Sequence, residues 1–144
     1  MRLSGKEILC LGIESTAHEF GLGIVSSKGS ILASVGRTYV PEKGGIHPRE
    51  SAQFFTTVVG EVLDEAFKAS KVKSSEIALI AFSQGPGLGP CLRTGATVAR
   101  ALSTYIGIPL IGVNHCVAQI AIGKLLTGVR DPLTLYVSGG NTIV

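Results

Sequence analysis

With 144 residues, 45% apolar and 16% charged, the chain has the material for one core and too much hydrophobicity for disorder. Trp is absent and aromatics make up only 6%, so that core must be built from Ile, Leu, Val and Ala. A net charge of +3 permits a nucleic-acid partner without demanding one, and the apolar runs fall well short of the ~18 residues of a membrane span. The three cysteines, Cys10, Cys91 and Cys116, are odd in number and form no CxxC, which points to reduced thiols and a cytoplasmic protein.

The first apolar run, residues 8–13 (ILCLGI), predicts a buried strand. A polar elbow follows at residues 14–20 (ESTAHEF), then a second strand over residues 21–25, a turn at SSKGS, and a third strand over residues 31–39. Short turns between them predict an antiparallel meander. The loop VPEKGGIH leads to Pro48, well suited to a first helical turn. A long helix is predicted over residues 48–70, with Phe55, Val59, Val62, Leu63, Ala66 and Phe67 as its apolar stripe. Its end carries Lys68, Lys71 and Lys73, read as a solvated terminus favoured by the helix dipole.

Residues 77–82 (IALIAF) form another continuous apolar run, as expected of a parallel strand covered on both sides. The Gly/Pro-rich segment SQGPGLGP, residues 83–90, precedes a second helix over residues 91–106. Its apolar face is predicted as Leu92, Ala96, Ala99, Leu102 and Ile106, with Gly107 as the stop. Residues 109–113 make a fifth strand, followed by a helix opening at Asn114. The order β-β-β-α-β-α-β-α predicts a mixed five-stranded sheet with helices on its faces, an α/β ribonuclease-H-like fold. Residues 1–130 are expected to form this unit. Residues 131–144, a strand, a Gly turn and a strand restarting, read as the opening of a second, truncated domain whose free strand edge needs a cover or an exchanged partner.

Four stretches offer chemistry. In NHCVAQ, His115 and Gln119 are i and i+4 neighbours on one helix face; two histidines at that spacing clamp a metal, but Gln is a poor transition-metal ligand, and a lone histidine more often caps a strand. Cys116 points away from His115 on a helix, and His18 and His47 lie in loops with no spacing that pairs them with it. The elbow offers hydroxyls and backbone amides for a phosphate and Glu14 for a metal-bound water, against a plain turn in which Ser15 and Thr16 bond the backbone. Residues 83–90, with Arg93, open a helix where anions bind, against a purely structural connection. The sequence AFSQG resembles a nucleophile elbow around Ser83, but no histidine follows Asp131 to complete a triad. The tail loop Ser138-Gly139-Gly140-Asn141 is a candidate anion nest.

Five segments in order, GIESTAHEFGLGIV, GGIHPRES, IAFSQGPGLGPCLRTGATVARAL, PLIGVNHCVAQI and DPLTLYVSGGNT, resemble the universal tRNA threonylcarbamoyladenosine transferase family. This is TsaD in bacteria and the catalytic subunit of the KEOPS complex in archaea and eukaryotes, formerly called glycoprotease. The resemblance implies an actin-like ATPase (ASKHA) fold of two ribonuclease-H-like domains, of which this chain matches the first and the start of the second. It implies transfer of threonylcarbamoyl from threonylcarbamoyl-AMP to N6 of adenosine 37 in ANN-decoding tRNA.

On the family pattern, His115 matches the first metal ligand and Gln119 stands where the second histidine belongs, a defective ligand for Fe or Zn. Tyr136 matches a tyrosine near the metal. Tyr136, Val137, Ser138, Gly139, Gly140 and Asn141 match contacts to an ATP- or AMP-type nucleotide or to threonylcarbamoyl-AMP, and Glu14 matches an acid in the first phosphate-facing loop. Implied partners are tRNA, the small KEOPS dimerisation subunit and the KEOPS kinase, with a dimer or strand exchange open to the short chain. The alternatives are a non-catalytic paralogue, like TsaB, acting as a partner-binding module, and an actin-like sugar kinase.

Overall fold

A computed structural model of the chain describes residues 7–137 and 142–143. Three strands, β1 (Leu9–Glu14), β2 (Glu19–Ser26) and β3 (Ile31–Thr38), form the antiparallel meander. Helix α1 (Pro48–Ser70) and a short 3-10 turn lead to β4 (Ile77–Gly85); α2 (Gly89–Ile106) leads to β5 (Leu110–Asn114), and α3 (His115–Thr127) follows directly. The sheet order is β3-β2-β1-β4-β5, with β1, β4 and β5 parallel. The expected mixed sheet is therefore present, and the boundaries shift by a few residues: β2 begins at Glu19, β4 runs on to Gly85 and α2 opens at Gly89.

Strand alternation divides the sheet into two unlike faces. On one face, Leu11 lies beside Ile24 and Ile80, and Ile24 beside Ala33; all four are buried. Helices α1 and α2 close this face. Phe55 of α1 packs on Phe20 with ring centroids 5.6 Å apart, and Val62 and Ala66 are fully buried.

The α1 stripe sits slightly off the expected one. Ser51, Phe55, Val58, Val62 and Ala66 are buried, while Val59, Leu63 and Phe67 are only partly so. The α2 stripe differs more: Cys91, Gly95 and Ala99 face inward, and Leu92, Ala96 and Leu102 flank them. The reason is steric. The β1–β2 turn presses so closely on α2 that only small residues fit beneath it.

Two glycines record that approach. A Cβ on Gly95 would lie 2.8 Å from Ser15 Cβ, and one on Gly87 3.0 Å from Thr16 Cα. The turn is then bonded in place. Leu88 N–H donates to Thr16 O at 2.7 Å, and Ala17 O accepts both the Ser51 hydroxyl and, at 3.2 Å, the Cys91 thiol. Gly107 ends α2 in the left-handed region, φ 77°, as expected, and Asn114 caps α3 by accepting from Cys116 N–H and Val117 N–H.

The tail differs from a strand over residues 133–137. Among the described residues the strand of this run is Tyr136–Val137 (β6); it pairs antiparallel with Thr142–Ile143 (β7) in a separate two-stranded sheet. The proposed anion nest, Ser138 to Asn141, lies outside the described residues, as does the side chain of Val137.

Gly95→Ala should cost about 1–3 kcal/mol through overpacking, measured as a shift of the urea midpoint at constant slope, and Ser15→Gly in the same chain should recover part of it. Ser15 Oγ is buried without a hydrogen-bond partner among the described residues. Ser15→Ala should therefore leave stability unchanged or raise it by up to roughly 1 kcal/mol.

Candidate functional site

The second face of the sheet carries almost no side chains near its middle. Ser34, Gly23, Gly12, Ala81 and Ile111 are successive cross-strand partners over all five strands. In the next row Gly36 and Gly21 lead to Glu14. Helix α3 stands over this face, and the space between holds a cavity of about 450 Å³. Its floor is Gly12, Gly21 and Gly23, its roof Ala118 and Ile122, and its polar end Glu14, Ser83, His115 and Gln119.

Topology brings that polar end together. Because β1, β4 and β5 are parallel, Glu14, Ser83 and His115 all fall at or just beyond the carboxyl ends of these strands, where open α/β sheets bind ligands. His115 Nδ1 lies 3.1 Å from Glu14 Oε2. The other carboxylate oxygen, Oε1, accepts the Thr16 N–H at 2.8 Å and the Thr16 hydroxyl. An ionised carboxylate can only accept, so a neutral His115 ring bonds it through Nδ1–H, which puts the free lone pair on Nε2. The His115 side chain is 19% exposed and that of Glu14 37%, which leaves the pair open to the cavity.

The other sequence candidates separate cleanly. Gln119 lines the cavity and also a second recess shared with Tyr136, on the side of α3 facing the tail. Ser83 Oγ accepts the Ser15 N–H at 3.1 Å, a structural use, with no histidine bonded to it. Arg93 faces a groove between α1 and α2 with Thr56, Val59 and Thr97, not the cavity. The segment 83–90 is locked to the β1–β2 turn through Leu88. His47 belongs to a polar recess of the β3–α1 loop with Tyr39, Glu42 and Glu50. There Tyr39 donates to Glu50, which pushes the phenol up, with burial adding to the shift. Burial likewise pushes the Cys10 thiol up.

These donors do not make a transition-metal centre. Among the described residues no group of three or more His, Cys, Asp and Glu side chains converges. The cavity offers one imidazole nitrogen and one amide oxygen, and the nearest carboxylate is already engaged by Thr16 and His115. Such a set is too poor in nitrogen and sulfur for firm Zn or Fe binding. The Glu14–His115 contact, across 101 residues, has no local sequence signal; the signal that does exist is that both residues end parallel strands.

No described helix is long and apolar enough to cross a membrane. Among solved structures, YeaZ from Pseudomonas aeruginosa superposes with a TM-score of 0.65 over 93% of this chain and 64% of its own, at 13% identity. RuvC from T. thermophilus superposes at 0.50 over 85% of this chain and 78% of its own, at 14%. At such identities the likeness concerns the fold alone. Sequence relatives lie much closer. The chain is 56% identical over 135 residues, 94% of its length, to a probable bifunctional tRNA threonylcarbamoyladenosine biosynthesis protein of Methanosphaera stadtmanae, of which it covers 25%. It is 55% identical over 140 residues, 96% of its length, to a tRNA N6-adenosine threonylcarbamoyltransferase of Hyperthermus butylicus, covering 39%. The chain thus spans between a quarter and two-fifths of the length of these curated relatives.

The hydrogen bond can be checked directly. Long-range ¹⁵N–¹H NMR should show neutral His115 as the Nδ1–H tautomer, and Glu14→Ala should let the Nε2–H form appear; a dominant Nε2–H form in the unaltered chain would contradict the assignment. A sequence profile described as TsaD: tRNA N6-adenosine threonylcarbamoyltransferase matches residues 30–144, and with that match and the identities above, the chain belongs to the TsaD family.

Proposed function

We propose that this chain supplies the His115 side of a site that transfers threonylcarbamoyl from threonylcarbamoyl-AMP to N6 of a tRNA adenosine. The observation that carries the reading is the polar end of the cavity, where Glu14 fixes the ring of His115 and Gln119 stands one helical turn on. Family membership and the names of the close relatives, which concern tRNA threonylcarbamoyladenosine, support the substrate class.

The chemistry asks little of a protein nucleophile. The exocyclic amine attacks the carbamoyl carbon, the N–C bond forms, the anhydride C–O bond breaks, and AMP leaves with the electron pair. The amine must also lose a proton. Positioning the two reactants supplies most of the acceleration available to such a site. A neutral His115 with Nε2 unprotonated can accept a hydrogen bond or the proton from the attacking amine, and the Gln119 amide can orient a carbamoyl or phosphate oxygen.

The residues from about 131 onward open a separate unit in this reading, with Tyr136 to Asn141 as contacts to the adenylate. The separate β6–β7 pairing supports that division. An Fe or Zn ion would be held weakly, since Gln119 occupies the place of a second imidazole. ANN-decoding tRNA, a small dimerisation subunit and a kinase of the KEOPS type complete the partners the resemblance implies.

Two measurements test this. Incubated alone with threonylcarbamoyl-AMP and tRNA, the 144-residue chain should form no threonylcarbamoyladenosine; turnover by the chain alone would show that it holds a complete site. By calorimetry, Gln119→His should tighten Zn²⁺ binding roughly ten- to a hundredfold. Equal, negligible binding by both forms would show that Gln119 is not what limits the metal.

A further inference from the structure

Three glycines on the open sheet face have no explanation within the chain. A Cβ on Gly12, Gly21 or Gly23 would find its nearest neighbours 3.6 to 3.8 Å away, ordinary van der Waals contact, and none of the three has a positive φ. Neither packing nor backbone geometry asks for glycine there, and glycine inside a strand weakens it. What side chains at these positions would fill is the cavity itself. The chain's own α3 roofs that cavity with Ala118 and Ile122. The Glu19 carboxylate, which lies over Gly36, bounds the floor at Gly21. The chamber of about 450 Å³ between floor and roof falls within the usual size of small-ligand sites, ~300–1,000 Å³, and its floor is bare backbone.

Charge and the polar end narrow the ligand. Glu14 and Glu19 line the cavity, and among the described residues no Lys or Arg does; Lys124 lies in the second recess instead. An anion is therefore disfavoured. The polar end is rich in acceptors. Glu14 Oε2 holds His115 Nδ1 at 3.1 Å, which leaves the Nε2 lone pair of the neutral ring free, and the Gln119 amide lines the same end. An uncharged flat ring bearing an amino group meets both conditions.

We infer that the cavity takes the accepting adenine base, splayed out of the RNA and laid on the glycine floor with its exocyclic amine toward His115 Nε2. Bases that undergo chemistry leave the stack in this way, and single-stranded bases are read by their edges. One N–H of the Gln119 amide can donate to the ring nitrogen beside the amine, leaving the other for an acyl oxygen. The adenylate donor also carries an adenine, but its phosphate and carboxylate are repelled by Glu14 and Glu19, so charge tells the two reactants apart. The inference rests on the transfer reading above and names where its acceptor lies.

Binding without donor or turnover tests it, so that a failure here leaves the transfer reading standing with its acceptor placed elsewhere. Adenosine titrated into the ¹⁵N-labelled chain from about 0.1 to 10 mM should shift the amides of Gly12, Gly21 and Gly23 saturably. Inosine, which turns a carbonyl toward the same acceptors, should bind roughly tenfold more weakly or worse. AMP should bind no more tightly than adenosine. Gly23→Val, which fills the floor, and Ala118→Leu, which lowers the roof, should each weaken adenosine binding roughly tenfold or more, with circular dichroism and melting showing the fold intact. The absence of a saturable shift at the three glycines overturns the inference, as does inosine binding as well as adenosine, AMP binding more tightly, or binding indifferent to both substitutions.

Discussion

The carbonyl oxygen of Ala17 is the point on which three parts of the fold are fastened. It accepts the Ser51 hydroxyl from α1 and the Cys91 thiol from α2, and both donors are fully buried. A single acceptor shared in this way fixes the β1–β2 turn against two helices, and the Cys91 thiol also lies 3.6 Å from the Pro48 carbonyl of α1. The neighbouring Thr16 carbonyl takes the Leu88 amide, so the start of α2 is set by the same turn. Gly87 and Gly95 follow from this constraint, since any side chain there would push the turn away. Moving the turn would move Glu14, and with Glu14 the ring of His115.

That dependence explains why the chemistry gathers where it does. The closed face of the sheet is packed by α1 and α2 and leaves no room for a ligand. The carboxyl ends of β1, β4 and β5 open instead toward the second face, beneath α3. Glu14 reaches it from the end of β1, Ser83 from β4, and His115 from the first residue after β5. The Asn114 cap starts α3 immediately beyond the strand, which keeps His115 within reach of a residue 101 positions earlier.

Most of the architecture is legible in the sequence because it rests on local periodicity. Continuous apolar runs predict β1 and β4, and the 48–70 stripe predicts α1 at its observed limits. The inward face of α2 is legible only at Ala99. The other apolar positions suggest Leu92 and Leu102, whereas the turn selects Cys91 and Gly95 beside Ala99, a long-range steric demand invisible to periodicity. In the tail a run of apolar residues over 133–137 suits a strand, but extended pairing needs a partner, and among the described residues the pairing found is that of Tyr136 and Val137. At the site, His115 and Gln119 are found by helical spacing, and Glu14 by its place in the elbow. The contact between Glu14 and His115 requires the parallel order of the strands, which the meander and crossovers imply only once assembled.

The two unlike faces of the sheet finally bear on how change is tolerated. On the closed face each side chain touches many others, so a substitution is felt as a cavity or a clash and reaches the site through the Ala17 junction. On the open face Gly12, Gly21 and Gly23 have ordinary van der Waals room above them, whereas Gly36 lies under the Glu19 carboxylate, and a substitution at the first three narrows the cavity beneath α3. The packed core and the cavity therefore lie on opposite faces of the same five strands. The residues at the carboxyl ends, Glu14, Ser83 and His115, are where the two meet: Ser83 serves the packing by holding the Ser15 amide, while His115, fixed by Glu14, faces the cavity.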